Sequence, residues 1–313
     1  MFRATKFAVI LLVLPFATSE THASFGSFSG SKGTGGTTLR LTAFGDSITS
    51  AFPNFDPGYV GSFAEHASQP LAMLAQGSTI QFQAYSVSGH TLSQILTDVR
   101  GRTEALGRSD IVVFNGGGND LIQAATRYRT TCSSEGLVEE ARWIKRRWDR
   151  VLSTITAGAR PDAVIRTMNV YYDRPDADRE ARCACLEAYC PSHFEAFLPI
   201  LFEVSDYVCD TAEAAGVACV NAFSEFNCDQ DSLGNRDSLC PTRKEHLTDG
   251  LHSVDHFRDP SSVKIMGTPR AVLYWDRRHP NALGHQLLGT ALHQKGYGVR
   301  PAAWLRDPNA LPE

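Results

Sequence analysis

The sequence predicts an α/β fold in which a parallel five-stranded sheet is flanked by helices. Short apolar runs rich in β-branched or aromatic residues recur at LRLTAF (39–44), IQFQAYSV (80–87), IVVFNG (111–116), AVIRTMNV (163–170) and VACVNAF (217–223), with helix-like segments between them. Strands that alternate with helical crossovers form a parallel sheet. The clearest helix, LVEEARWIKRRWDRVLSTI, repeats Ile144, Trp148, Val151, Leu152 and Ile155 at three- and four-residue steps, a stripe that packs on a sheet. At 313 residues and 42% hydrophobic, the chain is long and apolar enough to bury such a core.

Taken in order, residues 1–23 carry Arg3 and Lys6, an apolar run from Phe7 to Ala17, and small and polar residues ending at Ala23. This is the layout of a secretory signal peptide, and the run falls short of the roughly 20 apolar residues that a membrane anchor needs. Residues 24–38, SFGSFSGSKGTGGTT, have no periodic apolar positions and read as a flexible linker, so the ordered domain is expected over 39–300 with a tail at 301–313. GSKGTGG is a poor phosphate loop, because its lysine precedes the last glycines and no strand leads into it. On the long helix, Arg142, Lys145, Arg146, Arg147 and Arg150 stand apart from the apolar stripe and read as a solvated back rather than an anion-binding face. Near 224–274 the alternation fails, which predicts a long cysteine-containing insertion that shapes one side of the site.

A net charge of −4 gives no basic field for nucleic acid or an anionic membrane, and no stable membrane insertion is expected. The eight cysteines (Cys132, Cys183, Cys185, Cys190, Cys209, Cys219, Cys228 and Cys240) suit disulfides in an exported chain. CACLEAYC lacks the paired spacing of a structural zinc site, and the disulfide pairing stays open.

The first strand ends on Gly45, Asp46 and Ser47. A serine hydroxyl is a weak nucleophile until a base takes its proton, so chemistry at Ser47 calls for a histidine, an orienting carboxylate and donors for an oxyanion. YWDRRHPNALGHQLLG supplies Asp276 three residues before His279, a spacing that lets the carboxylate reach ring Nδ1 and turn Nε2 toward Ser47. Gly89 follows the second strand and Asn119 the third, where a bare N–H and a side-chain amide could serve one oxygen. All lie at the carboxyl ends of strands, where open α/β sheets bind ligands.

These four blocks resemble those of the SGNH hydrolases of the GDSL esterase/lipase family: Gly45-Asp46-Ser47, then Gly89, then Gly117 through Asp120, then Asp276 and His279, in the family's order. The resemblance implies a flavodoxin-like three-layer sandwich and hydrolysis of carboxylic esters through an acyl-serine, without metal or organic cofactor. It makes Ser47 the nucleophile and, with Gly89 and Asn119, an oxyanion donor, and gives Asp46 and Asp120 loop-bracing roles. The substrates it implies are small-molecule, glycan or lipid esters. No G-x-S-x-G elbow occurs, which separates the chain from the ordinary α/β-hydrolases. Other readings are a helix N-cap for Ser47 and a secreted binding or structural protein that kept the fold without turnover.

Asp249 and His252 form a second D-x-x-H; Asp276 and His279 are preferred because only they lead into a terminal helix pattern. His252 with His256 echoes a metal pair but shows no helical context, and Asp229, Asp231 and Gly234 echo a calcium loop whose last ligand position is Cys240. No metal is expected.

Overall fold

The computed structural model describes residues 29–32, 36–50, 62, 64–65, 67–68, 78–173, 193–227, 273 and 278–296. Six strands form one sheet: β1 (Ser29–Lys32), β2 (Thr38–Gly45), β3 (Thr79–Ser86), β4 (Ile111–Phe114), β5 (Val164–Met168) and β6 (Ala218–Val220). Their order across the sheet is β1-β3-β2-β4-β5-β6. β2 through β6 are mutually parallel, and each contains the heart of one of the five apolar runs. The difference is β1, which lies within the stretch read as a linker and pairs antiparallel with β3, Ser29 opposite Gln83 and Lys32 opposite Ile80. An edge strand can be made by main-chain hydrogen bonds alone, so SGSK carries no apolar signature.

Helices cover both faces: α1 (Leu92–Gly101), α2 (Thr103–Gly107), α3 (Gly118–Thr131), α4 (Ser134–Gly158), α5 (His193–Ala214), α6 (Ala222–Asn227) and α7 (Ala282–Gln294). Alternation along β4 divides the core into two halves. Val112 and Phe114 pack with α1 to α5 on one side, while Ile111 and Val113 pack with Leu288 and Leu292 of α7 on the other. Of the region expected as an insertion, residues 224–227 end α6 and residues 228–272 and 274 lie outside the described set, as do residues 1–23 and 301–313.

The long amphipathic helix is α4. Ser133 caps it by accepting from the Gly136 N–H at 3.0 Å, and Ile144, Trp148, Val151, Leu152 and Ile155 are all buried. Trp148 stacks on Phe114 of β4 and donates its N–H to Thr211 of α5. Of the five basic residues, Arg142, Arg146 and Arg150 are exposed, but two depart from the solvated reading. Lys145 pairs with the buried Glu203 of α5, and Arg147 reaches Asp120 of α3 at 3.2 Å. Both flank the apolar stripe, so their stems lie on the core and their charges meet the neighbouring helices.

Cys209 and Cys219 form a disulfide that ties α5 to β6, and Cys132 is also disulfide-bonded. With a sequence separation of 10, the Cys209–Cys219 link contributes about 2–3 kcal/mol by restricting the unfolded chain. Thermal unfolding with and without reductant is therefore expected to show a lower Tm in the reduced protein. Identical melting curves, with thiol titration confirming reduction, would exclude that contribution.

Candidate active site

The turn after β2 is built around a residue with no side chain. A Cβ on Gly45 would overlap both the Asn115 Oδ1 and the Thr49 Oγ1, and those two atoms hydrogen-bond to each other in the space. Thr49 Oγ1 also lies 3.4 Å from the Phe44 carbonyl. Asp46 is buried; its Oδ1 accepts from the Ile48 N–H at 3.0 Å and from the Asn115 Nδ2 at 3.2 Å. Its carbonyl accepts from the Ser50 N–H at 3.1 Å. The chain is thereby pinned on both sides of Ser47.

Ser47 is 6% exposed, and its Oγ lies 2.9 Å from Nε2 of His279. The hydroxyl is thus used toward an imidazole, not toward a backbone N–H as a helix cap would be. A hydroxyl at this distance from a neutral imidazole can pass its proton to the ring. Pro280, the next residue, bridges Leu273, and Asn281 caps α7 by accepting from the Gly284 N–H at 3.0 Å. Asp276 lies outside the described residues, as do Asp249, His252, His256, Asp229, Asp231 and Gly234.

After β4 the chain turns through Gly117, whose φ of +98° suits glycine alone, into α3. Asn119, in the first turn of that helix, donates one side-chain N–H to the His90 carbonyl at 3.0 Å and lines the cleft with Ser47 and His279. The amide has a second N–H to give. Gly89 precedes His90 in the exposed turn after β3, at φ +84°, and is not among the residues lining the cleft. Asp120 is buried and accepts from the Leu92 N–H at 2.8 Å and from Arg147 at 3.2 Å, tying the starts of α1 and α3 together.

Ser47 leaves β2 and Asn119 follows β4, and these are the neighbouring strands from which successive connections depart in opposite directions. The cleft occupies that topological switch point. Leu121, Ile122 and Ala125 of α3, Phe197 and Leu201 of α5, and Val170 form an apolar wall, and Tyr171, Asp173 and Arg278 also line the cleft. Among the described residues, no group of three or more His, Cys, Asp or Glu side chains could hold a metal ion.

Burial pushes the Asp46 carboxyl above its usual 3.8, against the opposing Ile48 N–H, Asn115 amide and nearby His279. Burial likewise raises Asp120, against the Leu92 N–H and Arg147. With a raised folded-state pKa, the folded protein holds these protons more tightly than the unfolded chain. Their contribution to stability is complete below pH 3.8 and is lost as pH rises through the raised values. Asp120→Asn, which cannot ionise, is expected to flatten that decline. Urea unfolding between about pH 3.5 and 7 measures it, and equal slopes in the two proteins would exclude it.

Sequence reasoning did not identify Asn115, Thr49 or Arg147, although a lone amide closing the apolar run IVVF marks Asn115 as a position with a polar task.

A family model described as the GDSL-like Lipase/Acylhydrolase family matches residues 43–287. No curated protein matches the chain in sequence. Among solved structures, the chain is similar to the lipase Lip_vut3 from a goat rumen metagenome, with 17% identity and a TM-score of 0.59 over 84% of this chain and 99% of that one. It is also similar to a GDSL-type lipase-like protein from Parabacteroides merdae, with 15% identity and a TM-score of 0.50 over 84% of this chain and 98% of that one.

Proposed function

Because the chain belongs to the GDSL-like lipase/acylhydrolase family, a family of ester hydrolases, we propose that it is a secreted serine esterase that cleaves carboxylic esters through an acyl-serine intermediate. The observation that carries this reading is the 2.9 Å approach of His279 Nε2 to Ser47 Oγ in a cleft at the sheet's switch point.

In this mechanism Ser47 Oγ attacks the ester carbonyl carbon while His279 Nε2 takes its proton. Negative charge grows on the carbonyl oxygen, where the Ser47 N–H and the second N–H of Asn119 donate to it; the Gly89 N–H, on the turn beside the cleft, is the third donor that the family resemblance adds. His279 then protonates the leaving alcohol as the C–O bond breaks. Water, deprotonated by the same imidazole, attacks the acyl-serine carbonyl; as the acyl C–Oγ bond breaks, His279 returns that proton to Ser47 Oγ and the acid leaves. Asp276 orients the ring through Nδ1 and stabilises its cation. Asp46 and Asp120, through the bonds given above, hold the loops that bear Ser47 and Asn119.

The apolar side chains of α3 and α5 beside Ser47 suit the hydrocarbon part of an ester, whether its other part is a small alcohol, a glycan or a lipid. Export is supported by the signal-peptide layout of residues 1–23 and by the Cys209–Cys219 disulfide. A panel of chromogenic esters of increasing acyl length tests the function. Turnover of at least one is expected, and purified protein silent on the whole panel would leave the fold as a binding module.

A further inference from the structure

Ser47 and His279 are 232 residues apart in sequence, so the segment bearing the histidine has to be held against the sheet that carries the serine. Beyond His279 the chain is held by the Pro280–Leu273 bridge, by Asn281 Nδ2 donating to the Leu273 carbonyl at 3.3 Å, and by α7, whose Leu288 and Leu292 pack on the sheet and past whose end Arg166 of β5 donates to the Gly296 carbonyl at 2.8 Å. The residue just before His279 is held differently. The Tyr171 hydroxyl donates to the main-chain carbonyl of Arg278 at 2.6 Å, and Asp173 Oδ2 lies 3.1 Å from Arg278 Nε. Tyr171 and Asp173 both stand on the loop leaving β5. The Tyr171 ring is buried and stacked on Phe226 at 4.5 Å, which leaves its hydroxyl little freedom. β5 pairs with β4 and β4 with β2, so this contact joins the histidine's main chain to the strand system that ends at Ser47.

We propose that Tyr171, assisted by Asp173, is a positioning residue for ester hydrolysis: its hydroxyl fixes the Arg278 carbonyl so that His279 Nε2 stays on Ser47 Oγ. The inference rests on Ser47 and His279 acting as nucleophile and base. Because the bond is made to main chain, it survives any change of side chain at 278 and depends on the hydroxyl at 171. Proton transfer between two groups is steeply sensitive to their separation, and misplacement by about 1 Å can lower a rate by about 100-fold.

Tyr171→Phe keeps the ring and its stacking and removes only the hydrogen bond. The expected result is a fall in kcat of about 10-fold on short- and long-chain esters alike, with KM little changed. The rate at which a serine-directed phosphonate labels Ser47 should fall by the same factor, since labelling reads the Ser47–His279 pair. Asp173→Asn, at a partly exposed position that does not fill the core, is expected to lower both rates by a smaller factor, and it carries the comparison if Tyr171→Phe does not fold. A KM change that varies with acyl length, with kcat retained, would make Tyr171 a substrate contact and overturn the inference. A lower Tm with unchanged kcat per labelled serine would make it a purely structural bond and overturn it equally. Wild type that hydrolyses esters yet is not labelled would overturn the Ser47 reading itself, whereas wild type and Tyr171→Phe labelled equally fast would overturn the positioning role alone.

Discussion

Ser47→Ala is expected to lower ester turnover by about a million-fold, the scale seen when one member of a concerted nucleophile and base is removed. The hydroxyl is the atom that forms the acyl bond, and nothing else in the described cleft can take its place. In the described structure that hydroxyl bonds to His279, while the turn around it is held by Asp46, Asn115 and Thr49. The variant should therefore fold and melt like the wild type, within about 0.5 kcal/mol. A serine-directed phosphonate should label the wild type alone, with mass spectrometry placing the adduct on Ser47. Hydrolysis at wild-type rate by the alanine variant would remove Ser47 from the mechanism.

The second large effect is at His279. His279→Ala takes away the base and should cost about as much as losing the serine, because the two act as a unit. Asp276→Ala should cost less, on the order of 10⁴-fold, since the imidazole remains although less well oriented and its cation less stabilised. The competing D-x-x-H is decided by the same assay: His252→Ala should change turnover modestly and in a manner that depends on the ester used. If His252→Ala were inactive on a small ester while His279→Ala retained turnover, the base would belong to the segment around residue 252, and the 2.9 Å contact of His279 with Ser47 would have no catalytic meaning.

What could be read from sequence follows the range of the interactions involved. The five parallel strands were legible because burial writes apolar residues into the chain: β4 is buried throughout, while β3 alternates, burying Ile80, Phe82 and Ala84 and exposing Gln81. Ser47, His279 and Asn119 were legible as short local patterns at strand ends and at a helix start. β1 was not, because Ser29 to Lys32 join the sheet through main-chain bonds that any composition supplies. Lys145 and Arg147 looked like exposed charge because their partners, Glu203 and Asp120, lie on other helices 58 and 27 residues away. Asn115 and Thr49, 66 residues apart, meet only because β2 and β4 are neighbours in the sheet, and Tyr171 finds Arg278 across 107 residues. No periodicity within one element encodes such pairs.

The span of 232 residues between Ser47 and His279 also sets when the protein becomes competent. Among the described residues, the strands of the sheet all precede α7 in the chain, so the strands and the Trp148–Phe114 stack can form while the histidine is still unplaced. Contacts of such long sequence separation close late, since the entropy of the intervening chain must first be given up. In a refolding time course, circular dichroism and tryptophan fluorescence should therefore recover ahead of hydrolysis. The delay between them times the docking of α7, which makes enzymatic activity a clock for the final step of assembly.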